Sequence, residues 1–430
     1  MNIYVHSELF RDGRKLYLKG NVIIMKPLEG VKVVDLTTFL AAPTCARVLG
    51  EWGADVIKVE AGKGDPGRTQ GAVFGMPYTD DENLGFDMSN MNKRFMTINL
   101  KNPKGMEVMD KLLKDADVFI TNIRSKSLKK LGLDYETVSE KYPQVIWTQC
   151  LGYGEKGPEK DSAGFDVTCY MARGGVYGTT VNKGSAPMIP TNGFGDFQVS
   201  LCLASGICAA LFNRNRTGKG DKVTVSLHHA AVFFLSTGMV SAQYGNPYPK
   251  SRFEVIAPTN NVYRTKDDKL LAMCAPEYDR DYNKIMTLVG REDLVDNPDY
   301  CNCDRMNELG KNREVVEALD GAIAKFDLEE IIKIFKDNDV PCERCMEPND
   351  IYEDEQVWAN EVMTKLDCPS GKRNIPTNPV KFGSFKPDFK VTRAQGSDTE
   401  EILKELGYDD AQISEYIAEG AVQGKKALGQ

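Results

Sequence analysis

From residue 25 onward the chain alternates two hydrophobic rhythms. VKVVDL (31–36) is a continuous apolar run. Over 43–52 the pattern then changes to a helical stripe, with Ala42, Ala46, Leu49 and Trp52 on one face and Gly53 as the stop. ADVIKVE (54–60), TINL (97–100), DVFIT (117–121) and QVIWTQC (144–150) repeat the apolar run. A helical stretch at 103–114 and two more up to Tyr142 fall between them. Strands alternating with helices predict a parallel sheet covered on both faces, so this half reads as a Rossmann-like α/β domain.

GKGDKVTVSL (218–227) turns through glycine into a further strand, and an apolar segment at 230–244 follows. Gly245-Asn246-Pro247 breaks that segment and marks the start of a smaller α+β domain. A hairpin (261–263 with 270–274, turning at Asp267-Asp268) and helices near 278–290, 311–326 and 328–338 are expected in it. In the tail, Ser397-x-x-Glu400 reads as a capping box, with Gly407 ending the helix. The expected organisation is a disordered leader at 1–24, a large domain at 25–244, a small domain at 245–345, and a return of 346–430 to the large domain. The leader is set apart because Met25 begins a run that reads as a natural start.

The most apolar helix signal, 199–212, follows TNGFGD (191–196). An Asp at a helix start ordinarily caps it, its oxygens accepting the orphan N–H groups of the first turn. The same position can instead hold an ionised carboxylate as a covalent nucleophile, with Gly193 and Gly195 letting a reacting carbonyl approach the backbone. The residue alone leaves both readings of Asp196 open.

Composition narrows the classes. The chain has 430 residues, 41% hydrophobic and 27% charged, as in a soluble globular protein of two domains. A net charge of −8 argues against nucleic acid as the main partner. The apolar stretch at 201–212 is too short to span a membrane. Eleven cysteines, an odd number, point to free thiols in a reducing cytoplasm. Cys301/Cys303 lacks the spacing of a zinc knuckle and Cys342/Cys345 its glycine, so no metal is expected.

GYGEKG (152–157) matches the dinucleotide-binding pattern G-x-G-x-x-G and follows a predicted strand. Pro158 and the polar run EKDSAG provide no helix to receive a pyrophosphate, and no acidic residue follows about twenty positions on. The dehydrogenase reading therefore fails, and the motif is read as a turn-rich loop. There is neither a G-x-S-x-G elbow nor a Walker A motif, and of the three histidines His228 and His229 open an apolar segment.

KPLEGVKVVDLTTFLAAP (26–43), GADVIKVEAGKGDPGR (53–68), NKRFMTINLKNPKG (92–105), GYGEKGP (152–158), GFGD (193–196), TGKGDKVTVSL (217–227) and TEEILKELGY (399–408) run in one order along the chain. With them the sequence resembles the class III CoA-transferases, most of all those acting on 2-hydroxyacids in amino-acid fermentation. The resemblance implies Asp196 as the nucleophile and Asp166 as an acidic residue beside it. It implies a coenzyme A site built from Leu40, Ala41, Ile98, Asn99, Lys101, Asn122, Ile123, Arg124 and Lys130, with Lys63 standing in for a family arginine replaced by Ala61. It also implies an interlaced homodimer whose tail returns to the first domain. The glycine-rich shielding loop of the formyl-CoA branch has no counterpart; APTNN (257–261) is the nearest candidate.

The resemblance further implies transfer of CoA from an acyl-CoA to a free (R)-2-hydroxycarboxylate through an aspartyl-CoA thioester, with no metal or redox cofactor. An α-methylacyl-CoA racemase is the nearest competitor within the family. Its Gly-His-Asp base is Gly164-Phe165-Asp166 here, and phenylalanine carries no proton. A CoA-binding protein without catalysis is the alternative outside the enzymes. Phe39, Phe165, Phe194 and Phe197 near the nucleophile favour a branched or aryl acid over one as small as formate.

Overall fold

The computed structural model describes residues 16–18, 21–23 and 25–428. Most of the expected leader, His6 included, lies outside the described residues; within it, Leu16–Leu18 and Asn21–Ile23 pair as antiparallel strands.

Two compact units divide the chain. The first holds residues 1–176, 189–235 and 360–430; the second holds 177–188 and 236–359. The division falls at Leu235/Ser236 and Ala359/Asn360 rather than at 244/245 and 345/346, and 177–188 joins the second unit. The apolar run at 230–244 suggested one continuous segment, but the helix Leu227–Phe234 ends there, with Leu235 as its C-cap, and another begins at Ser236.

In the first unit, β1 (Lys32–Leu36), β2 (Asp55–Glu60), β3 (Arg94–Ile98), β4 (Val118–Thr121), β5 (Ile146–Leu151), β6 (Lys222–Ser226) and β7 (Val422–Gln423) form one sheet. Its order is β7-β3-β2-β1-β4-β5-β6. The first six strands are parallel, with Val34 of β1 opposite Ile57 and Phe119, while β7 runs antiparallel on the edge of β3. The central strands are buried on both faces, which is why their sequences read as unbroken apolar runs rather than alternating ones.

On one face α1 (Ala41–Glu51) packs against α2 (Phe194–Thr217). On the other, the helix Pro103–Asp115 buries Val108, Met109, Leu112 and Leu113. Asn102 caps that helix through the Lys104 N–H, and Pro103 starts it with φ already set. α2 exceeds the expected 199–212 by a turn at each end and is long and apolar enough to cross a bilayer. Here it is a core helix, burying Val199, Leu203, Ile207 and Leu211 against the sheet and α1.

The tail closes this layer. Helices Thr399–Glu405 and Asp410–Ala418 place Ile402, Leu403, Ile413 and Tyr416 in the same apolar cluster as Val108 and Leu112. Ser397 and Glu400 do not form the expected capping box. The N-cap is Asp398, and its carboxylate is committed elsewhere: it accepts the Phe95 N–H of β3 at 2.8 Å and pairs with Arg393. The Asp398 N–H in turn donates to the Phe95 carbonyl.

The second unit is a three-stranded antiparallel sheet (Cys342–Arg344, Leu270–Cys274, Asn260–Arg264) packed by helices Tyr278–Leu288, Asn312–Ile323 and Leu328–Asp337. The hairpin turns where expected, with Asp268 at φ +61°. Cys342 lies in the third strand, and Cys345 is exposed.

Removing the Asp398 carboxylate leaves the buried Phe95 N–H without its acceptor. Asp398→Ala should therefore destabilise the first unit by about 1–3 kcal/mol. The check is the denaturant midpoint, with Ser397→Ala, which removes only the hydroxyl's 3.2 Å hydrogen bond to that carboxylate, expected to cost less.

Candidate active site

In a parallel sheet of this order, the strand order reverses between β1 and β4, opening a crevice beyond their carboxyl ends. A cavity of about 270 Å³ lies there. Its walls are the turn after β1 (38–41), the segment after β4 (122–125), the end of β5 (150–152), the loop residues Lys160 and 162–166, Asp196 and Leu227.

The turn after β1 rests on buried charge. The Phe39 N–H donates to Asp65 Oδ1 at 3.1 Å, and Asp65 pairs with Lys58 at 2.9 Å, both side chains fully buried. Lys58 also donates to the Thr37 carbonyl, while Lys93 pairs with Asp35 at 2.8 Å and donates to the Pro43 carbonyl. Burial pushes the Lys93 ammonium down, and the Asp35 carboxylate opposes the shift. Asn122 closes the other side, donating to the Thr38 carbonyl at 2.7 Å and accepting the Thr38 N–H at 3.0 Å. This scaffold holds Phe39 at φ +65°, a left-handed conformation uncommon for a bulky residue. The ring meets Phe165 edge-on, 5.7 Å between centroids.

Asp196 sits in the first turn of α2, after Gly193 at φ +79°. It is not the cap. Asp166, opening the π-helical segment Asp166–Arg173, reaches across so that its Oδ1 accepts the Gly195 N–H at 3.0 Å. Gly195 is required by packing: a Cβ there would lie 2.2 Å from Tyr170 Cγ and 2.5 Å from Asp166 Oδ1.

With the helix start satisfied from outside, the Asp196 carboxylate has no hydrogen bond or ion pair among the described residues, and it faces the cavity half-buried. Burial, reinforced by the Asp166 charge, pushes it up to about 7. At that value the carboxylate is only partly ionised at neutral pH, where the nucleophile reading of the sequence has it ionised at the helix start; burial is the larger cause. Asp166 is itself raised by burial, with N–H groups of Gly195, Gly193 and Phe194 opposing the shift.

Leu40, Ala41, Asn122, Ile123 and Arg124 line the same cavity as Asp166 and Asp196. Asn122 spends both ends of its amide on Thr38. Ile98, Asn99, Lys63, Lys101 and Lys130 are not among the lining residues. Ile98 is core and pairs with Val422, Asn99 donates to the Gly420 carbonyl, and the three lysines are exposed. Reading the sequence missed Lys160 and Cys150. Lys160 lay hidden in the polar run after GYGEKG, where no helix follows Gly157.

A second cavity of about 230 Å³ shares Leu40 with the first. Phe74, Met76, Met88 and Phe197 give it apolar walls, with Gln70, Thr191 and Asn192 as polar points. No histidine is among the described residues lining either cavity.

The model for CoA-transferase family III matches residues 28–398. The chain is 40% identical over 395 residues to (R)-2-hydroxy-4-methylpentanoate CoA-transferase of Clostridioides difficile, covering 90% of this chain and 98% of that protein. It is 41% identical over 392 residues to cinnamoyl-CoA:phenyllactate CoA-transferase of Clostridium sporogenes, covering 90% and 95%. Among solved structures, a CAIB/BAIF family protein from Brucella suis superposes with a TM-score of 0.73 at 26% identity, covering 89% of this chain and 99% of that one. The carboxylate pair at the sheet's switch point is thus set in a chain that belongs to CoA-transferase family III.

Proposed function

We propose that this CoA-transferase moves CoA from an acyl-CoA donor to a free (R)-2-hydroxycarboxylate with an apolar side chain, and that Asp196 is its nucleophile. The observation that carries the reading is the division of labour between two carboxylates: Asp166 satisfies the helix start, and Asp196 is left unpartnered in the cavity.

The Asp196 carboxylate attacks the donor thioester carbonyl and expels CoA thiolate, leaving an acyl–aspartyl anhydride. The thiolate then attacks the aspartyl carbonyl, releasing the donor acid and forming an aspartyl-CoA thioester. The acceptor carboxylate attacks that thioester, regenerating thiolate and a second anhydride. Attack of the thiolate on the acceptor's acyl carbonyl completes the new acyl-CoA and restores Asp196. A desolvated carboxylate of raised pKa is a stronger nucleophile than one in water. The Gly195 N–H is already given to Asp166 and is not free to stabilise an oxyanion.

Two observations support the acceptor class. The second cavity offers Phe74, Met76, Met88 and Phe197 for an apolar group next to the nucleophile's chain neighbours. The relatives named above act on 2-hydroxy-4-methylpentanoate and phenyllactate, whose side chains are branched aliphatic and aryl. A homodimer is supported by apolar side chains left exposed in this single chain, Phe212 and Phe234 in the first unit and Tyr244 in the second. Free thiols throughout the described residues support a reducing cytoplasm.

Asp196→Asn should leave a folded protein that still binds CoA while exchange between acyl-CoA and 2-hydroxyacid falls at least about 10³-fold. Mass spectrometry of wild type incubated with acyl-CoA should find CoA on the Asp196 peptide, cleaved by hydroxylamine. Near-normal exchange in the variant would remove Asp196 from the chemistry.

Because the ionised form attacks, kcat/KM for acyl-CoA should fall about tenfold per pH unit below an apparent pKa of about 7. Asp166→Asn removes a like charge, so its acid limb should move to lower pH without reaching the ordinary Asp value, burial being unchanged. A flat profile between pH 5 and 8 would contradict a titrating Asp196.

In a panel of (R)-2-hydroxyacids with one CoA donor, branched and aryl acceptors should exceed lactate in kcat/KM by about tenfold or more, from apolar area buried at roughly 25 cal/mol per Å². Equal use of lactate would contradict the apolar-acceptor assignment.

A further inference from the structure

The dinucleotide look-alike GYGEKG and the polar run after it have no role in the chemistry above, yet this loop borders the cavity. It leaves β5 at Leu151 and returns at Gly164, and each of its acidic residues is tied to a different element. Glu155 pairs with Lys222 of β6, Glu159 with Arg173 of the π-helical segment at 3.3 Å, and Asp161 with Lys126 of the helix Ser125–Leu131 at 3.0 Å. The ties consume every carboxylate the loop carries. Lys160 lies between two of the tied residues, lines the cavity, and its ammonium has no hydrogen bond or ion pair among the described residues. Lys156, in the same loop, is exposed and does not line the cavity.

An exposed lysine is by default a solvated charge. Three features set Lys160 apart: the pinned backbone on either side, the absence of a competing carboxylate, and its place on the cavity wall. Among the described lining residues it and Arg124 are the cations, facing two carboxylates, Asp166 and Asp196. Such a cavity cannot receive a polyanionic thioester without cations at its rim to offset the repulsion.

We propose that Lys160 is a binding residue for the phosphate groups of acyl-CoA, acting with Arg124 from the segment after β4. The assignment rests on the CoA-transferase reading and adds to it a residue that the sequence resemblance did not supply. The loop takes part in binding not through glycine amides at a helix start but by carrying one lysine on a backbone fixed by three ion pairs.

The test compares wild type with Lys160→Ala, Lys160→Arg and Lys156→Ala at low ionic strength. Lys160→Ala should raise KM for acyl-CoA about five- to twentyfold, keep kcat within about twofold, and leave KM for the 2-hydroxyacid unchanged. Lys160→Arg should restore most of the affinity, and Lys156→Ala should behave as wild type. The defect should shrink as salt rises. Acyl-3′-dephospho-CoA and acyl-pantetheine identify the phosphate: a defect lost with the first substrate places Lys160 on the 3′-phosphate, and one lost only with the second places it on the diphosphate. A defect of equal size with acyl-pantetheine, or equal behaviour of Lys160→Ala and Lys156→Ala, would overturn the proposal. Calorimetric titration of CoA into Asp196→Asn with and without Lys160→Ala reads the contact without turnover. Weaker CoA binding there would uphold Lys160 even if Asp196 proved dispensable.

Discussion

The hydrogen bond from the Gly195 N–H to Asp166 decides what the site can be. A helix start must have its N–H groups satisfied, ordinarily by the side chain of the N-cap residue. Here the N-cap is Gly193, which has none, and the acceptor is Asp166, arriving from a separate segment earlier in the chain. The arrangement has a cost, since two carboxylates now share one cavity: burial raises both, and the Asp166 charge raises Asp196 further. That cost, burial first, appears as the raised pKa of Asp196, the property that makes it a stronger nucleophile. Gly195 is the point where the arrangement is enforced, because any side chain there would collide with Tyr170 and with the Asp166 oxygen itself.

The opposite wall depends on a second set of buried charges. Lys58 and Asp65, Lys93 and Asp35 are fully buried, a costly state for four charges unless each is paired and hydrogen-bonded. They are, and their other hydrogen bonds reach the backbone at Thr37, Phe39, Pro43 and Gly67 and the side chains of Thr37 and Asn90. The network therefore acts less as a source of stability than as a clamp on one turn. It keeps Phe39 in a left-handed conformation with its ring against Phe165. Asn122 links this turn to the segment after β4, so the two sides of the switch point are fixed relative to each other. Such preorganisation suits a reaction that passes CoA from one acyl carbonyl to another through several tetrahedral species.

The tail shows the same principle away from the site. Its two helices complete an apolar layer over the sheet, while Asp398 spends its carboxylate on the backbone of β3 instead of on its own helix. Ile98 and Asn99, which resemblance assigned to coenzyme A, sit where β3 meets the returning chain. Their neighbourhood is the edge pairing with β7.

Periodicity by itself determined the parallel sheet, the order of its strands and helices along the chain, the hairpin at Asp267-Asp268 and the failure of the glycine motif. These are local matters: a strand buried on both faces reads as a continuous apolar run, and a missing helix after GYGEKG is visible in Pro158. The motif around Asp196 was legible as well, together with five of the cavity-lining residues at strand ends. What only tertiary structure decided was which carboxylate caps and which remains free, since a helix start does not record whether an acceptor will arrive from a distant segment. The same holds for Asp398, for the division at Leu235, and for Lys160, whose neighbours' ion pairs reach elements far away in sequence. Hydrogen bonds and charges find partners in space, and a sequence records only the groups that seek them.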